Sequence, residues 1–215
     1  MSQPFNGTDL TGWKSAGDPE KSFLTVGVAT MSEEDPTQLT VTESEEGQGQ
    51  LVNAQAHGLD FHSEQKFGTG IYIVEFMVPQ GSNSGIYLMG EYEVQILDSF
   101  GRETVGPGDV GGIYGAQAPK ENASKAPGEW QKMVIVFQAP KFEDGEKVEN
   151  AKFVRVVLNG KVIQEDVEMA GVTPGGLTGE EHPVGPLMFQ GNHGPVAFRN
   201  LRVVEFEELP EMPVR

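Results

Sequence analysis

Short segments in which apolar and polar residues alternate limit the folds open to this chain more than any other feature. In residues 71–78, for example, Tyr72, Val74 and Phe76 fall on one side, because successive side chains of a β-strand point to opposite faces. Helical periodicity is nearly absent, and 28 glycines and 14 prolines interrupt the apolar segments. The pattern predicts an all-β protein built from many short strands.

Further strands are predicted at residues 86–97, 133–138, 153–158, 187–190 and 196–206. Asn159-Gly160, between two apolar segments, is typical of a two-residue β-hairpin, because both residues of its type I′ turn need positive φ angles. Three segments rich in turn-forming residues are predicted to lie outside the main strands: 100–129, 171–186 and a hairpin tip at 139–151. Loops as long as the first two are often functional.

Length and composition exclude several classes of protein. The 215 residues are expected to form one domain, 1–215, because β-sandwiches of this size commonly do. The formal net charge of −17 argues against nucleic acid and anionic membrane surfaces as partners. The chain has no cysteine, which excludes disulfides and thiolate chemistry.

The sequence does not fix a compartment or an oligomeric state. No apolar run approaches the roughly 20 residues needed to cross a bilayer. No signal peptide is visible at the amino terminus, so a cytoplasmic protein and a mature exported chain both remain open.

A polar face on one predicted strand is the main functional signal. A turn that begins at Asn83 is expected to lead into a long strand, 86–97, which Gly90 is placed to interrupt. Alternation puts Glu91, Glu93 and Gln95 on one face and apolar residues on the other. Such a row of polar groups either presents itself to a ligand or simply faces water.

The spacing Glu-x-Gln-x-x-Asp of Glu93, Gln95 and Asp98 is similar to a strand motif of the laminarinase-type glycoside hydrolases. Asp98 shares the face only if a β-bulge shifts the alternation. A retaining glycosidase needs two carboxyl groups about 5–5.5 Å apart. The amide at Gln95 and the shorter Asp98 therefore count against ordinary glycoside hydrolysis.

Other candidate site residues lie on either side of this motif. His193 lies between glycines, where it is suited to proton transfer near neutral pH or to a structural hydrogen bond. Arg199 is suited to hold a ligand oxygen or to pair with a structural carboxylate. Tyr87 and Tyr114 are suited to stack on a sugar ring, although strand aromatics more often belong to the core.

Several motifs occur in a recognisable order along the chain: FNGTDLTGW at 5–13, NSGIYL at 83–88, EYEVQILD at 91–98, PGEW at 127–130, LNG at 158–160, and the segment 185–201. In this order they resemble the 3-keto-disaccharide hydrolase domain family over nearly the whole chain. The resemblance implies a concanavalin-A-like jelly-roll β-sandwich of two antiparallel sheets. It also implies an exported bacterial protein, periplasmic or extracellular, that acts on a small carbohydrate.

The resemblance implies cleavage of glycosides whose glucose unit is oxidised at C3. The C3 carbonyl acidifies the hydrogen on C2, so a base can remove it, the enolate can expel the C1 substituent, and water can add at C1. Many family members carry Arg where this chain has Met89, and the change removes a candidate ligand contact.

This chemistry gives each candidate residue an expected role. Glu93 is the expected base, and His193 assists the leaving group or polarises the carbonyl. Gln95 and Asp98 orient the sugar or a metal, and Arg199 binds an oxygen. The remaining expected substrate-binding residues are Asn83, Tyr87 and Tyr114.

A divalent cation and two other functions remain open. Glu91, Glu93, Asp98 and Asp109 offer oxygen ligands of the calcium type, although the sequence requires no cofactor. A non-catalytic carbohydrate-binding module is the first alternative function, because the same fold can support either catalysis or binding alone. An ordinary glycoside hydrolase that acts on unoxidised sugars is the second.

Overall fold

The computed structural model describes residues 1–210, and two antiparallel sheets dominate it. The five-stranded sheet consists of β1 (Trp13–Ser15), β5 (Phe61–Phe67), β7 (Asn83–Leu88), β8 (Tyr92–Leu97) and β14 (Gly185–Phe189). The eight-stranded sheet consists of β2 (Leu24–Met31), β3 (Leu39–Thr42), β4 (Gln50–Asn53), β6 (Gly70–Met77), β9 (Gln131–Gln138), β12 (Ala151–Leu158), β13 (Lys161–Met169) and β15 (Val196–Glu205). The architecture confirms the predicted jelly-roll β-sandwich.

The strand order of each sheet shows that its neighbours are mostly distant in sequence. The small sheet runs β1-β5-β14-β7-β8, and the large sheet runs β13-β12-β9-β6-β15-β4-β2-β3. A separate hairpin is formed by β10 (Lys141–Glu143) and β11 (Glu146–Glu149), and a 3-10 helix occupies Pro19–Lys21. None of the helices within residues 1–210 has the length and hydrophobicity to cross a bilayer.

The core lies between the two sheets, where their apolar faces meet. Trp13 of β1 stacks on Phe189 of β14 with 5.5 Å between ring centroids, and Phe189 stacks on Phe198 of β15 at 3.8 Å. These aromatic rings join the small sheet to the large one. Burial of such side chains is the main stabilising contribution, because each removes a large apolar surface from water.

Several local predictions are confirmed. Leu158 pairs with Lys161 across the predicted turn, and Asn159 and Gly160 have φ angles of 51° and 86°. The segment at 139–151 contains the exposed β10–β11 hairpin. The segments 100–129 and 171–186 are irregular, except that β14 begins at the end of the second.

The predicted interruption at Gly90 is confirmed, but the single long strand at 86–97 is wrong, because the chain reverses direction there. Met89 and Gly90 adopt positive φ angles of 56° and 75°, and Leu88 then pairs with Tyr92. The result is a hairpin of β7 and β8. Glu91 lies in its turn and not on the polar strand face.

Candidate active site

The hairpin of β7 and β8 carries the candidate site on the side of the small sheet that faces away from the core. Ile86 and Val94 pair across the two strands, and both point into the core. Tyr87 and Glu93 form the next pair and therefore point to the opposite side. The predicted alternation is thus present on both strands.

A cavity of about 230 Å³ lies over this side of the hairpin. It brings together six residues that the sequence singled out: Asn83, Tyr87, Glu93, Gln95, Tyr114 and His193. Three further lining residues were not predicted: Pro174, Gly175 and Gln190. Pro174 and Gly175 belong to the loop at 171–186, and only the general tendency of long loops to be functional pointed to them.

Glu93 is the central group of the cavity. Its side chain is only 1% exposed, and neither carboxylate oxygen has a hydrogen-bond partner within residues 1–210. A Cβ atom at Gly85 would lie 2.0 Å from Glu93 Oε1, so the glycine of the Asn83-Ser84-Gly85 motif leaves the space that the carboxylate occupies.

Two amide oxygens of the cavity lining, Gln95 Oε1 and Gln190 Oε1, are likewise buried without a hydrogen-bond partner in the described part of the chain. Gln95 Nε2 donates to Asn83 Oδ1 at 3.1 Å, which fixes the orientation of that amide. Because buried acceptors are almost always satisfied, acceptors on one cavity wall indicate a site suited to ligand hydroxyls or a cation.

The environment of Glu93 suits a proton acceptor. Burial raises the pKa of Glu93 to about 7, the negative charge of Asp60 adds to the rise, and the nearby Tyr87 hydroxyl opposes it. The Tyr87 hydroxyl donates to the Pro174 carbonyl oxygen at 3.3 Å, and not to Glu93. Burial also raises the pKa of Tyr87, so this phenol remains protonated at neutral pH.

His193 lies on a tight loop at the mouth of the cavity, where its side chain is exposed. Asn53 Nδ2 donates to the carbonyl oxygens of Gly191 at 2.9 Å and Gly194 at 3.0 Å. Asp60 Oδ1 accepts from the Gly191 amide at 2.9 Å. These contacts fix the loop on both sides of His193. No sequence pattern indicated the contribution of Asn53 or Asp60.

Tyr114 comes from the long loop at 100–129, which hydrogen-bonds along the free edge of β8. The Tyr114 amide donates to Glu93 O at 3.2 Å, and the Gly111 amide donates to Gln95 O at 2.8 Å. The Tyr114 side chain is 38% exposed at the rim of the cavity. The ring is therefore accessible to a ligand that enters the cavity.

Two predicted binding residues lie elsewhere. Asp98 Oδ2 accepts from the Gly81 amide at 2.8 Å, so this carboxylate stabilises a turn beyond the end of β8. Arg199 Nε donates to Glu75 Oε2 at 2.8 Å, and its guanidinium lies 4.0 Å from the centre of the Trp130 ring. Since Phe198 points into the core, Arg199 occupies the opposite, outer face of the large sheet. These positions correct the expectation that both residues contact the same sugar.

The proposed calcium ligands do not converge either. The Glu91 carboxylate accepts from Thr178 and Gly179, while Asp109 accepts from Ser99 and Arg102. Only Glu93 of the four lines the cavity. Within residues 1–210 there is no group of three or more His, Cys, Asp or Glu side chains arranged to bind a metal ion.

A two-sheet jelly roll with a polar cavity on one sheet defines a class of β-sandwich proteins that have a site for a small polar ligand. The model of the 3-keto-α-glucoside-1,2-lyase-like domain family matches residues 2–204. The chain belongs to this family.

Solved structures with the same fold come from Parabacteroides distasonis. One, described as a "putative glycosyl hydrolase", is 28% identical, with a TM-score of 0.67 over 94% of this chain and 82% of that one. A second with the same description is 16% identical, with a TM-score of 0.61 over 96% of this chain and 94% of that one, and it shows the fold alone. A search of curated proteins finds no match.

Proposed function

We propose that the protein cleaves the glycosidic bond of 3-keto-glycosides by elimination across C1 and C2. The observation that carries the proposal is Glu93, a buried carboxylate without a hydrogen-bond partner in the described residues, facing a cavity of the size of a small ligand. Membership of the 3-keto-α-glucoside-1,2-lyase-like family supports the same chemistry.

In the proposed reaction, Glu93 removes the C2 proton that the C3 carbonyl acidifies. The electron pair of the C2–H bond forms an enolate, and its collapse breaks the bond between C1 and the leaving oxygen. A pKa of about 7 suits this step, because a general base is most effective when its pKa lies near the working pH. Addition of water to the C1=C2 double bond then completes a net hydrolysis.

The absence of a second carboxylate from the lining residues favours this reaction over ordinary glycoside hydrolysis. A retaining glycosidase places two carboxyl groups about 5–5.5 Å apart. Gln95 and Gln190 offer amide groups instead, which are suited to orient the hydroxyls and the carbonyl of the oxidised sugar.

The remaining residues have complementary proposed roles. His193 is exposed at the cavity mouth and protonates the leaving oxygen. The Tyr87 hydroxyl donates to the Pro174 carbonyl oxygen, so its own oxygen is available to accept a hydrogen bond from a sugar hydroxyl. Tyr114 stacks on the sugar or the leaving group at the rim.

Product analysis by mass spectrometry tests the proposal. The protein is incubated with a 3-keto-glucoside and, in parallel, with the unoxidised parent. We expect aglycone release from the keto form only. Cleavage of the parent would support an ordinary glycoside hydrolase, and glycan binding without turnover of any keto-glycoside would support a binding module.

Substitution of the base provides the matched test. Glu93→Gln should lower kcat/KM by about 10²- to 10⁴-fold, the usual contribution of a general base. Glu43→Gln, which removes a charge from an exposed residue outside the cavity, should change little. A loss of less than about tenfold for Glu93→Gln, equivalent to ~1.4 kcal/mol, would contradict the assignment of the base. Parallel reactions with EDTA separate a metal-dependent reaction from a metal-independent one.

A further inference from the structure

The buried carboxylate of Glu91 has no role in the chemistry proposed above, although it lies two residues from Glu93. Its side chain is 2% exposed. Its hydrogen-bond donors all belong to one loop: Thr178 N and Oγ1 donate to Oε1, both at 2.7 Å, and Gly179 N donates to Oε2 at 3.0 Å. The charge is thus satisfied by neutral groups of residues 173–179, which we call the wall segment.

The wall segment is also fixed to the main chain of the β7–β8 turn. Thr173 N donates to Glu91 O at 3.0 Å, and Leu177 N donates to Gly90 O at 2.8 Å. The Glu93 amide in turn donates to Thr173 Oγ1 at 2.9 Å. The wall segment is therefore attached at two places to the β7–β8 turn, within a few residues of Glu93.

Between these attachments the wall segment closes one side of the cavity. Pro174 and Gly175 are lining residues, and the Pro174 carbonyl accepts from the Tyr87 hydroxyl. A Cβ atom at Gly175 would lie 2.8 Å from the Tyr87 oxygen, and one at Gly176 would lie 2.2 Å from Glu91 Oε2. Glycines at these two positions allow the backbone to approach both side chains.

We propose that Glu91 is a positioning residue that holds the wall segment against Tyr87 and so completes the cavity around Glu93. The inference rests on the proposed function for its kinetic consequences, but the contact itself does not depend on any substrate. Charge-assisted hydrogen bonds make a carboxylate effective in this role, since they are stronger than bonds between neutral groups. A glutamine at position 91 has one acceptor oxygen and an amide donor, which would face a backbone N–H and repel it.

Glu91→Gln tests the proposal, with Glu180→Gln as the matched control. Glu180 is an exposed carboxylate just beyond the wall segment, and its side chain makes no hydrogen bond or ion pair within residues 1–210. We expect Glu91→Gln to lower kcat/KM at least tenfold and to accelerate amide hydrogen exchange in residues 173–179. The acid limb of the pH profile of kcat/KM should move to lower pH, because water then reaches Glu93. The control should leave all three measurements unchanged.

Thr178→Val provides a second variant if Glu91→Gln does not fold. It removes one donor to Glu91 on the exposed side of the loop, and we expect the same changes with smaller amplitude. Unchanged exchange in residues 173–179, or an unmoved acid limb despite a loss of activity, would overturn the proposal.

Measurements without substrate separate this proposal from the proposed function. If the native protein turns over no 3-keto-glycoside, hydrogen exchange and titration of the Glu93 carboxyl by NMR still test the wall segment. The titratable groups near Glu93 are Asp60 and, in the lining of the cavity, Tyr87, Tyr114 and His193. A lower Glu93 pKa in Glu91→Gln supports the proposal, and an unchanged one contradicts it.

Discussion

At the scale of single residues, the ionisation of Glu93 links the structure to its chemistry. Burial disfavours the charged form, so the carboxyl group holds its proton up to a pH of about 7, compared with 4.5 for an ordinary glutamate. A base must be deprotonated to act. The same burial that prepares an effective base therefore also sets the pH below which it is inactive.

The pH dependence of activity follows directly. We expect kcat/KM for a 3-keto-glucoside to rise with pH and to level off above about 7, because this parameter reports the pKa of the free enzyme. Initial rates at low substrate concentration across the pH range measure the profile. A plateau that already begins near pH 5 would show that Glu93 is not the group that titrates.

The contribution of Glu93 to the free energy of unfolding should fall as the pH rises, whereas the activity rises with pH. A carboxyl group whose pKa is raised by folding contributes most at low pH, and its contribution is lost as the pH rises from 4.5 to about 7. Glu93→Gln removes this cost, so the variant should gain up to about 3 kcal/mol over the native protein at pH 8 and almost nothing at pH 4.

Urea denaturation of the two proteins at both pH values measures this difference. Glu43→Gln should show no such divergence between pH values, because its carboxylate is exposed. An equal change of stability at pH 4 and pH 8 for Glu93→Gln would contradict the raised pKa.

At the scale of secondary structure elements, the sheet and the face on which a side chain lies decide whether it reaches the cavity. Arg199 has the residue type of a ligand-binding group, but β15 belongs to the large sheet and turns it to the outer face. There it pairs with Glu75 and lies over Trp130. Gln190, a less conspicuous residue, reaches the cavity because the end of β14 lies beside β7.

Substitution of Arg199 should therefore affect stability and not activity. Arg199→Ala loses a partly exposed ion pair and a cation–π contact, together worth about 1 kcal/mol, or a Tm lower by roughly 2–4 °C. We expect kcat/KM to stay within about twofold of the native value, since the residue lies outside the cavity. A loss of activity of more than about tenfold without unfolding would assign Arg199 a role at the site.

At the scale of the whole molecule, acidic residues greatly outnumber basic ones, whereas the substrate proposed above is neutral. The formal net charge is −17, and self-repulsion of this kind destabilises a compact state. Salt screens the repulsion, since the Debye length falls from roughly 10 Å at about 0.1 M to roughly 3 Å at about 1 M. An uncharged substrate should be indifferent to the same screening.

We accordingly expect the Tm to rise when sodium chloride is increased from about 0.05 M to about 0.5 M, while KM for a neutral keto-glucoside stays constant. Differential scanning fluorimetry and steady-state kinetics in the same buffers measure the two effects. A Tm that falls with salt would show that attractive ion pairs outweigh the repulsion.

Local pattern predicted much of the fold. Alternation identified the buried faces of β6 and β8, and the Asn159-Gly160 turn was correct because its chemistry is local. An interruption at Gly90 was predicted, but the reversal of the chain was missed, because methionine rarely takes the positive φ angle that Met89 has. β5 was missed because its middle is polar and exposed, so only its ends look like a strand.

The sequence by itself determined which residues share a strand face, since the two-residue period of a strand depends only on local geometry. It thereby placed Glu93 and Gln95 on one polar face after a turn at Asn83, and the family resemblance supplied the expected chemistry. Only the tertiary structure decided what covers those faces. The burial of Glu93, its pKa and the wall that Glu91 holds all arise from contacts between distant segments, and the pattern of one strand contains no information about its distant neighbours.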